Sequence, residues 1–351
     1  MGSLRILVAD NSATYKSIFS QAAAELDSDA VVTCVADGDQ ALEKIKRFDY
    51  EIVIVDVSAA NLDVLLKEIS VQMPKAFVLV TARPSDISDE LCDQLPKKCA
   101  ADFLVKPIHS SYSENYELAK NTMSDIIKSI RRKHGIDEGQ NELKRAVARA
   151  ATGKSRFRAG IVLIAASTGG PQALERIVPN LSKEFPVPIL IVQHMLPQFT
   201  DSLAKNLDQK SNLRVKIAES MEVIDAGTVY IAPGGKHMRL DAKNVVRFDR
   251  APPINGVRPA ADMLFESVAE SFTGSGVLAV ILTGMGHDGA RGLAKLKEKQ
   301  KCYCITQSEE TSVVYGMPRA AVESGHSDMV LDLDMIPIEL ESFGYSWKRA
   351  E

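Results

Sequence analysis

Ser167, His194 and Asp288 each stand where an apolar run gives way to a turn, and their types are those of a nucleophile, a base and an orienting acid. Ser167 lies in Ala165-Ala166-Ser167-Thr168-Gly169-Gly170-Pro171-Gln172, after an apolar run that starts at Gly160. Pro171 suits the first turn of a helix. Ser167 then faces a helix N-terminus, whose free N–H groups favour negative charge. That charge could be a tetrahedral oxyanion or a phosphate. The chain has no GxxxxGK[ST] and no GxGxxG, which weighs against a nucleotide. A serine hydroxyl needs a base to attack at neutral pH. The run Pro188 to Val192 ends in Gln193-His194-Met195, and Val277 to Leu282 ends in Thr283-Gly284-Met285-Gly286-His287-Asp288-Gly289. His194 is the expected base and Asp288 the acid that orients its ring. A lone strand-end serine is more often a helix cap, so the reading rests on three groups at three strand ends in one layer. A metal held by His194, His237, His287 and Asp288 is the weaker alternative, because no HExxH or similar close pair occurs. The G-x-S-x-G elbow is absent too, which sets the chain apart from ordinary α/β-hydrolases.

The first half offers a different chemistry. Asp10-Asn11 follows its first apolar run, Asp56 its third, Thr81 its fourth and Lys106-Pro107 its fifth. Two carboxylates and a carboxamide at one place call for a counter-charge, and a hard cation such as Mg²⁺ takes oxygen ligands. Asp56 could then accept a phosphoryl group, with Lys106 pairing its oxygens and Thr81 hydrogen-bonding one of them. This ordered set resembles a response-regulator receiver domain. The resemblance implies phosphorylation of Asp56 by a sensor histidine kinase, Thr81, Phe103 and Lys106 as switch residues, and Mg²⁺ on Asp10, Asn11, Asp56 and the Ser58 carbonyl. Asn11 stands where that family has a second acid, so Mg²⁺ is expected to bind more weakly. Ala59-Ala60 and Val64 are further departures, in the loop around the metal site.

Both sets of residues need strands to hold them. Leu4 to Ala9, Ala30 to Val35, Glu51 to Val55, Ala76 to Val80 and Ala100 to Val105 read as buried strands, with helices such as Ala13 to Leu26 and Asp39 to Arg47 between them. Such alternation predicts a parallel sheet covered on both faces. Val229 to Ala232 and Cys302 to Thr306 complete a second α/β pattern. Helices are expected at Ala261 to Glu270 and Gly289 to Lys297, and hairpin strands near Arg214 to Ala218 and Val245 to Phe248. The fold class is α/β throughout: a flavodoxin-like receiver over 1–128 and a doubly wound, mostly parallel catalytic domain over 159–347. The basic stretch 129–158, with a short helix near Asn141 to Ala151, reads as the linker that lets the two halves rearrange.

Composition narrows the class. The chain has 351 residues, a formal net charge of −4 and 45% hydrophobic residues, as two soluble globular domains would have. The acidic balance argues against a general nucleic-acid binder. No apolar segment reaches the length of a membrane span, and the N-terminus runs straight into a strand, so a cytoplasmic protein without membrane insertion is expected. Five cysteines without a CxxC suggest neither a zinc framework nor disulfides.

The quoted motifs of the second half resemble the chemotaxis protein-glutamate methylesterase (CheB) family. Ile231-Ala232-Pro233-Gly234-Gly235, Asn255-Gly256-Val257-Arg258-Pro259 and Val314-Tyr315-Gly316-Met317-Pro318-Arg319 add to the likeness. Ala165, Val257 and Ala260 depart from it, outside the triad. The resemblance implies hydrolysis of glutamyl methyl esters on methyl-accepting chemotaxis receptors, with deamidation of receptor glutamines as a second activity and no cofactor in the catalytic domain. Backbone N–H groups near Thr168 and Met285 are the oxyanion-hole candidates, and the receiver is expected to act as a lid that phosphorylation releases.

Overall fold

The computed structural model describes residues 3–86, 101–106, 111–133 and 159–348. The expected linker with its helix, and Pro107, lie outside the described residues. Contacts within the chain divide it into two compact units, Met1–Gly135 and Ile136–Glu351.

The first unit contains β1 (Arg5–Ala9), α1 (Ala13–Leu26), β2 (Val31–Val35), α2 (Gly38–Ile45), β3 (Ile52–Asp56), α3 (Leu62–Gln72), β4 (Phe77–Ala82), β5 (Ala101–Val105) and α4 (Tyr112–Lys133). Helix starts follow their capping residues. Ser12 Oγ accepts from Tyr15 N at the head of α1, and Asp37 Oδ1 from Gln40 N, 2.9 Å, at the head of α2. The five strands are all parallel, in the order β2-β1-β3-β4-β5. In this flavodoxin-like order the chain reverses its winding between β1 and β3, where ligands of such sheets gather. Asp10 follows β1 and Asp56 ends β3 at that point.

The second unit contains β6 (Ile161–Ala166), α5 (Gly170–Ile177), β7 (Ile189–Gln193), α6 (Pro197–Lys210), β8 (Arg214–Ile217), β9 (Thr228–Ile231), β10 (His237–Leu240) and β11 (Val246–Asp249). It continues with α7 (Ala261–Ser271), β12 (Val277–Ile281), α8 (Ala290–Lys299), β13 (Cys302–Gln307), α9 (Gly316–Glu323), β14 (Met329–Leu331) and α10 (Ile336–Lys348). Seven parallel strands run in the order β14-β13-β12-β6-β7-β9-β8, and β10 and β11 form a separate antiparallel pair.

Strand β6 shows why this sheet is buried on both faces. Its six residues are all buried. Val162, Ile164 and Ala166 enter the core under α5, α6 and α10, while Ile161, Leu163 and Ala165 enter the core under α7, α8 and α9. The two-residue period of a strand thus feeds two cores from one run.

The expected hairpin near Arg214 to Ala218 is corrected: β8 is the edge strand of the main sheet and pairs with β9 in parallel. Alternating exposure is common to hairpin strands and sheet edges, and only the partner distinguishes them. The segment near Val245 does form a hairpin strand, with His237–Leu240 as its partner. Among the described residues no helix is long and apolar enough to cross a membrane.

Candidate active site and acceptor pocket

The register between β6 and β7 pairs Ala166 with Gln193, so the next residues on the two strands, Ser167 and His194, are neighbours. On the other flank, β12 pairs with β6, and Ser167 N donates to Thr283 O, 3.0 Å. Ser167 therefore sits where β6 lies between β7 and β12, at the carboxyl edge of the sheet. The winding reverses between β6 and β12, which makes this the switch point of a doubly wound fold.

The turn after Ser167 is tight. Gly170 N donates back to Ser167 O, 2.8 Å, and Gly169 has φ +77°, a left-handed conformation that favours glycine. Pro171 lies in the first turn of α5, as its type predicts. Two buried side chains brace this turn. Gln193 Nε2 donates to both Ser167 O (2.9 Å) and His194 O (3.1 Å), joining the ends of β6 and β7. Thr283 Oγ1 donates to Thr168 O, 2.8 Å, and accepts from Val314 N, 2.9 Å. Among the described residues, the N–H groups of Thr168 and Met285 have no hydrogen-bond partner. They are free to donate to an oxyanion.

The imidazole of His194 is 8% exposed, and its Nε2 lies 2.7 Å from Asp288 Oδ2. With Nε2–H given to the carboxylate, Nδ1 is the nitrogen that carries the lone pair. Asp288 receives three further donors: Ala261 N at Oδ2 (2.6 Å), and Asp262 N (3.1 Å) and Asn255 Nδ2 (3.5 Å) at Oδ1. Two of these N–H groups open α7, so the acid also meets a helix N-terminus. Burial pushes the Asp288 carboxyl up, but the hydrogen bonds from His194 and from the α7 backbone outweigh it and hold the group below its usual range.

Gly284 makes room for Ser167. A Cβ there would lie 2.7 Å from Ser167 Cβ and against Met317 Sδ. Replacing Gly284 by Ala is expected to cost about 1–3 kcal/mol of stability through overpacking and to lower kcat by displacing Ser167. Thermal unfolding and ester hydrolysis measured on the same preparation check both.

The first unit gathers its own constellation. Lys106 Nζ lies 2.6 Å from Asp10 Oδ2 and is also paired with Asp56 Oδ2, all three being buried. The Tyr15 ring lies under the ammonium, 4.6 Å away. Ser58 N donates to Asp56 Oδ1, 2.9 Å, and Asn11 Nδ2 donates to Ser58 Oγ, 3.0 Å. Thr81, expected just beyond β4, lies within it beside Asp56, and among the described residues its buried Oγ1 has no hydrogen-bond partner. Phe103 belongs to β5, but its side chain lies outside the described residues. Two carboxylates facing one ammonium leave one negative charge over, and a carboxylate, a carboxamide and a carbonyl are oxygen donors of the type a hard cation takes.

Asp262 escaped sequence reasoning. As an acid in the first turn of α7 it reads as an ordinary partner of the helix dipole, but it is 1% exposed and bound to a different helix. The bracing role of Gln193 was equally hidden, because its partners are backbone carbonyls.

Residues 162–340 match the model of the CheB methylesterase family. The chain is 37% identical over 342 residues to the protein-glutamate methylesterase/protein-glutamine glutaminase of Thermotoga maritima, covering 96% of this chain and 97% of that protein. It is likewise 37% identical over 350 residues to the protein of the same name from Symbiobacterium thermophilum, covering 95% of each. The crystal structure of the Thermotoga maritima CheB methylesterase catalytic domain matches with 46% identity and a TM-score of 0.50, over 52% of this chain and 98% of that one.

Proposed function

Because the chain belongs to the CheB methylesterase family, we propose that it is a protein-glutamate methylesterase and protein-glutamine glutaminase acting on methyl-accepting chemotaxis receptors. What supports this reading is that Ser167 and His194 follow paired positions at the ends of β6 and β7, and that His194 Nε2 contacts Asp288 from the turn between β12 and α8.

Ser167 Oγ attacks the glutamyl ester carbonyl as its proton passes to His194 Nδ1. Asp288 stabilises the imidazolium through Nε2–H and stays ionised. The N–H groups of Thr168 and Met285 receive the oxyanion. The tetrahedral adduct collapses, the C–O bond to methoxide breaks, and His194 returns the proton so that methanol leaves. Water then attacks the acyl-serine with His194 again as base, which frees the glutamate and restores Ser167. A glutamine side chain follows the same steps with ammonia as leaving group, so one site serves both activities. No step requires a cofactor in this unit.

The first unit acts as the control element, with Asp56 as the phosphoryl acceptor and a sensor histidine kinase as donor. Thr81 Oγ1 and Lys106 Nζ are the groups that would meet the phosphoryl oxygens. Asp10, Asp56, Asn11 Oδ1 and the Ser58 carbonyl would hold Mg²⁺, which when bound shields the charge that develops in phosphoryl transfer. Phosphorylation changes activity only insofar as it changes the free energy between the two units.

The test is methanol release by the full chain from methylated receptor membranes, with and without a small-molecule phosphodonor. Release that rises with phosphodonor supports both parts of the reading. Absence of methanol under both conditions would overturn the first, and release indifferent to phosphodonor would overturn the second.

A further inference from the structure

Helices α7 and α8 begin beside one another, and each has its N-terminus capped by an acid from the other's chain. Asp288, two residues before α8, takes Ala261 N and Asp262 N at the head of α7. Asp262, in the first turn of α7, takes Gly289 N (3.0 Å) and Gly292 N (2.7 Å) on its Oδ1 at the head of α8. Asn255 Nδ2 spans the two acids, 3.2 Å from Asp262 Oδ2 and 3.5 Å from Asp288 Oδ1. The helices touch here. A Cβ on Gly292 would lie 2.6 Å from Phe265 Cβ and 3.0 Å from Asp262 Cα.

Two buried carboxylates side by side are costly. Burial pushes the Asp262 carboxyl up and the Asp288 charge pushes the same way, while the Gly292 N–H, the Arg291 guanidinium (Nε 3.6 Å from Asp262 Oδ2) and the Asn255 amide offset this only in part. A helix cap alone has no need of this arrangement, since a neutral Ser or Asn caps as well as Asp does. What the second acid adds is control of the segment that carries the first. Between β12 and α8 the chain passes through Gly284, Gly286 and Gly289, the last two with φ of +81° and +92°. Such a segment has wide conformational freedom. Asp262 Oδ1 accepts from Gly289 N, immediately after Asp288, and from Gly292 N in the first turn of α8, and such charge-assisted hydrogen bonds are the strong kind.

We propose that Asp262, linked through Asn255, is a positioning residue that fixes Asp288 against His194 Nε2. It touches neither substrate nor the reacting atoms. This rests on the reading of Ser167, His194 and Asp288 as the hydrolytic centre. A displacement of about 1 Å at such a centre costs about 100-fold in rate, so the effect falls on kcat and leaves substrate binding alone.

The experiment compares the full-length wild type with Asp262→Ala, Asp262→Asn and Asn255→Ala in methanol release, with proton NMR of the downfield His194–Asp288 resonance. Asp262→Ala is expected to lower kcat by about 10- to 100-fold, with KM within about twofold, and to broaden or remove that resonance. Asp262→Asn, whose amide oxygen can still accept from Gly289 N and Gly292 N while its NH₂ faces the Asn255 amide, should recover the resonance and kcat to about the level of Asn255→Ala. Asn255→Ala should lower kcat in the same sense by a smaller factor. If Asp262→Ala folds and keeps the wild-type kcat and resonance, Asp262 is a cap only and the proposal is overturned. If Asp262→Ala does not fold, Asn255→Ala decides, and an unchanged kcat there overturns it. An inactive wild type would instead sink the functional reading, which keeps the two failures apart.

Discussion

His194→Gln will lower kcat for glutamyl ester hydrolysis by roughly 10⁵–10⁶-fold, the scale of loss when a serine hydrolase is deprived of its base. In the proposed mechanism the ring both takes the Ser167 proton and returns it to the leaving group. Its place is set twice, by the backbone bond from His194 N to Ala166 O, 3.0 Å, and by the contact of Nε2 with Asp288. Glutamine fills much of the same volume and can still donate to Asp288, so the fold should persist. It has no nitrogen that can accept a proton near neutral pH. Steady-state methanol release with circular dichroism on the same samples checks this. KM should change little, because the ring makes no claim on the substrate before the attack.

Asp288→Asn comes next, with an expected loss in kcat of about 10⁴-fold. The reason lies in the number of donors that converge on the acid. Ala261 N and His194 Nε2 share one oxygen, and Asp262 N and Asn255 Nδ2 share the other. An amide offers only one oxygen. If that oxygen turns to the α7 backbone at Asp262, the NH₂ group faces His194 Nε2 and forces the ring proton onto Nδ1, where the Ser167 proton must go. If it turns the other way, the NH₂ group meets the Asp262 N–H. The same depressed pKa gives a stability signature. The stabilisation from ionised Asp288 is complete above the unfolded value of about 3.9 and is lost as pH falls through the lower folded value. The stability gap between wild type and Asp288→Asn should therefore hold from pH 7 to about 5 and close below about 4. Thermal unfolding at a series of pH values would show it, and a gap that widened on acidification would contradict it.

The residues of the centre were legible in the sequence because Ser167 and His194 follow strand ends and Asp288 stands in the glycine-rich turn after a third strand. The runs before Ser167, His194 and the Thr283 turn are apolar throughout, and strands buried on both faces are read from that signal with little ambiguity. The Pro171 turn was equally readable, since it acts within a few residues. The pairing of β8 was not, because its pattern is that of any half-exposed strand. Strand β14, three residues long and only half-buried, gives no periodic signal at all. Asp262 and Gln193 were missed for a different reason. Their partners are backbone groups distant in sequence, at Gly289, Gly292 and Ser167, and the fold alone brings those together. The chemistry was thus written in side chains, while the bracing that makes it work was written in topology.

The account turns on Ser167 as the nucleophile. The most direct measurement is methanol and ammonia release from receptor membranes bearing methylated and amidated sites, for the wild type and Ser167→Ala at equal concentration and with matched thermal unfolding. Loss of both products in Ser167→Ala, to about the rate left by transition-state binding alone, is the predicted result. Release of either product at a rate within tenfold of the wild type's would contradict it, because the reaction then does not pass through Ser167.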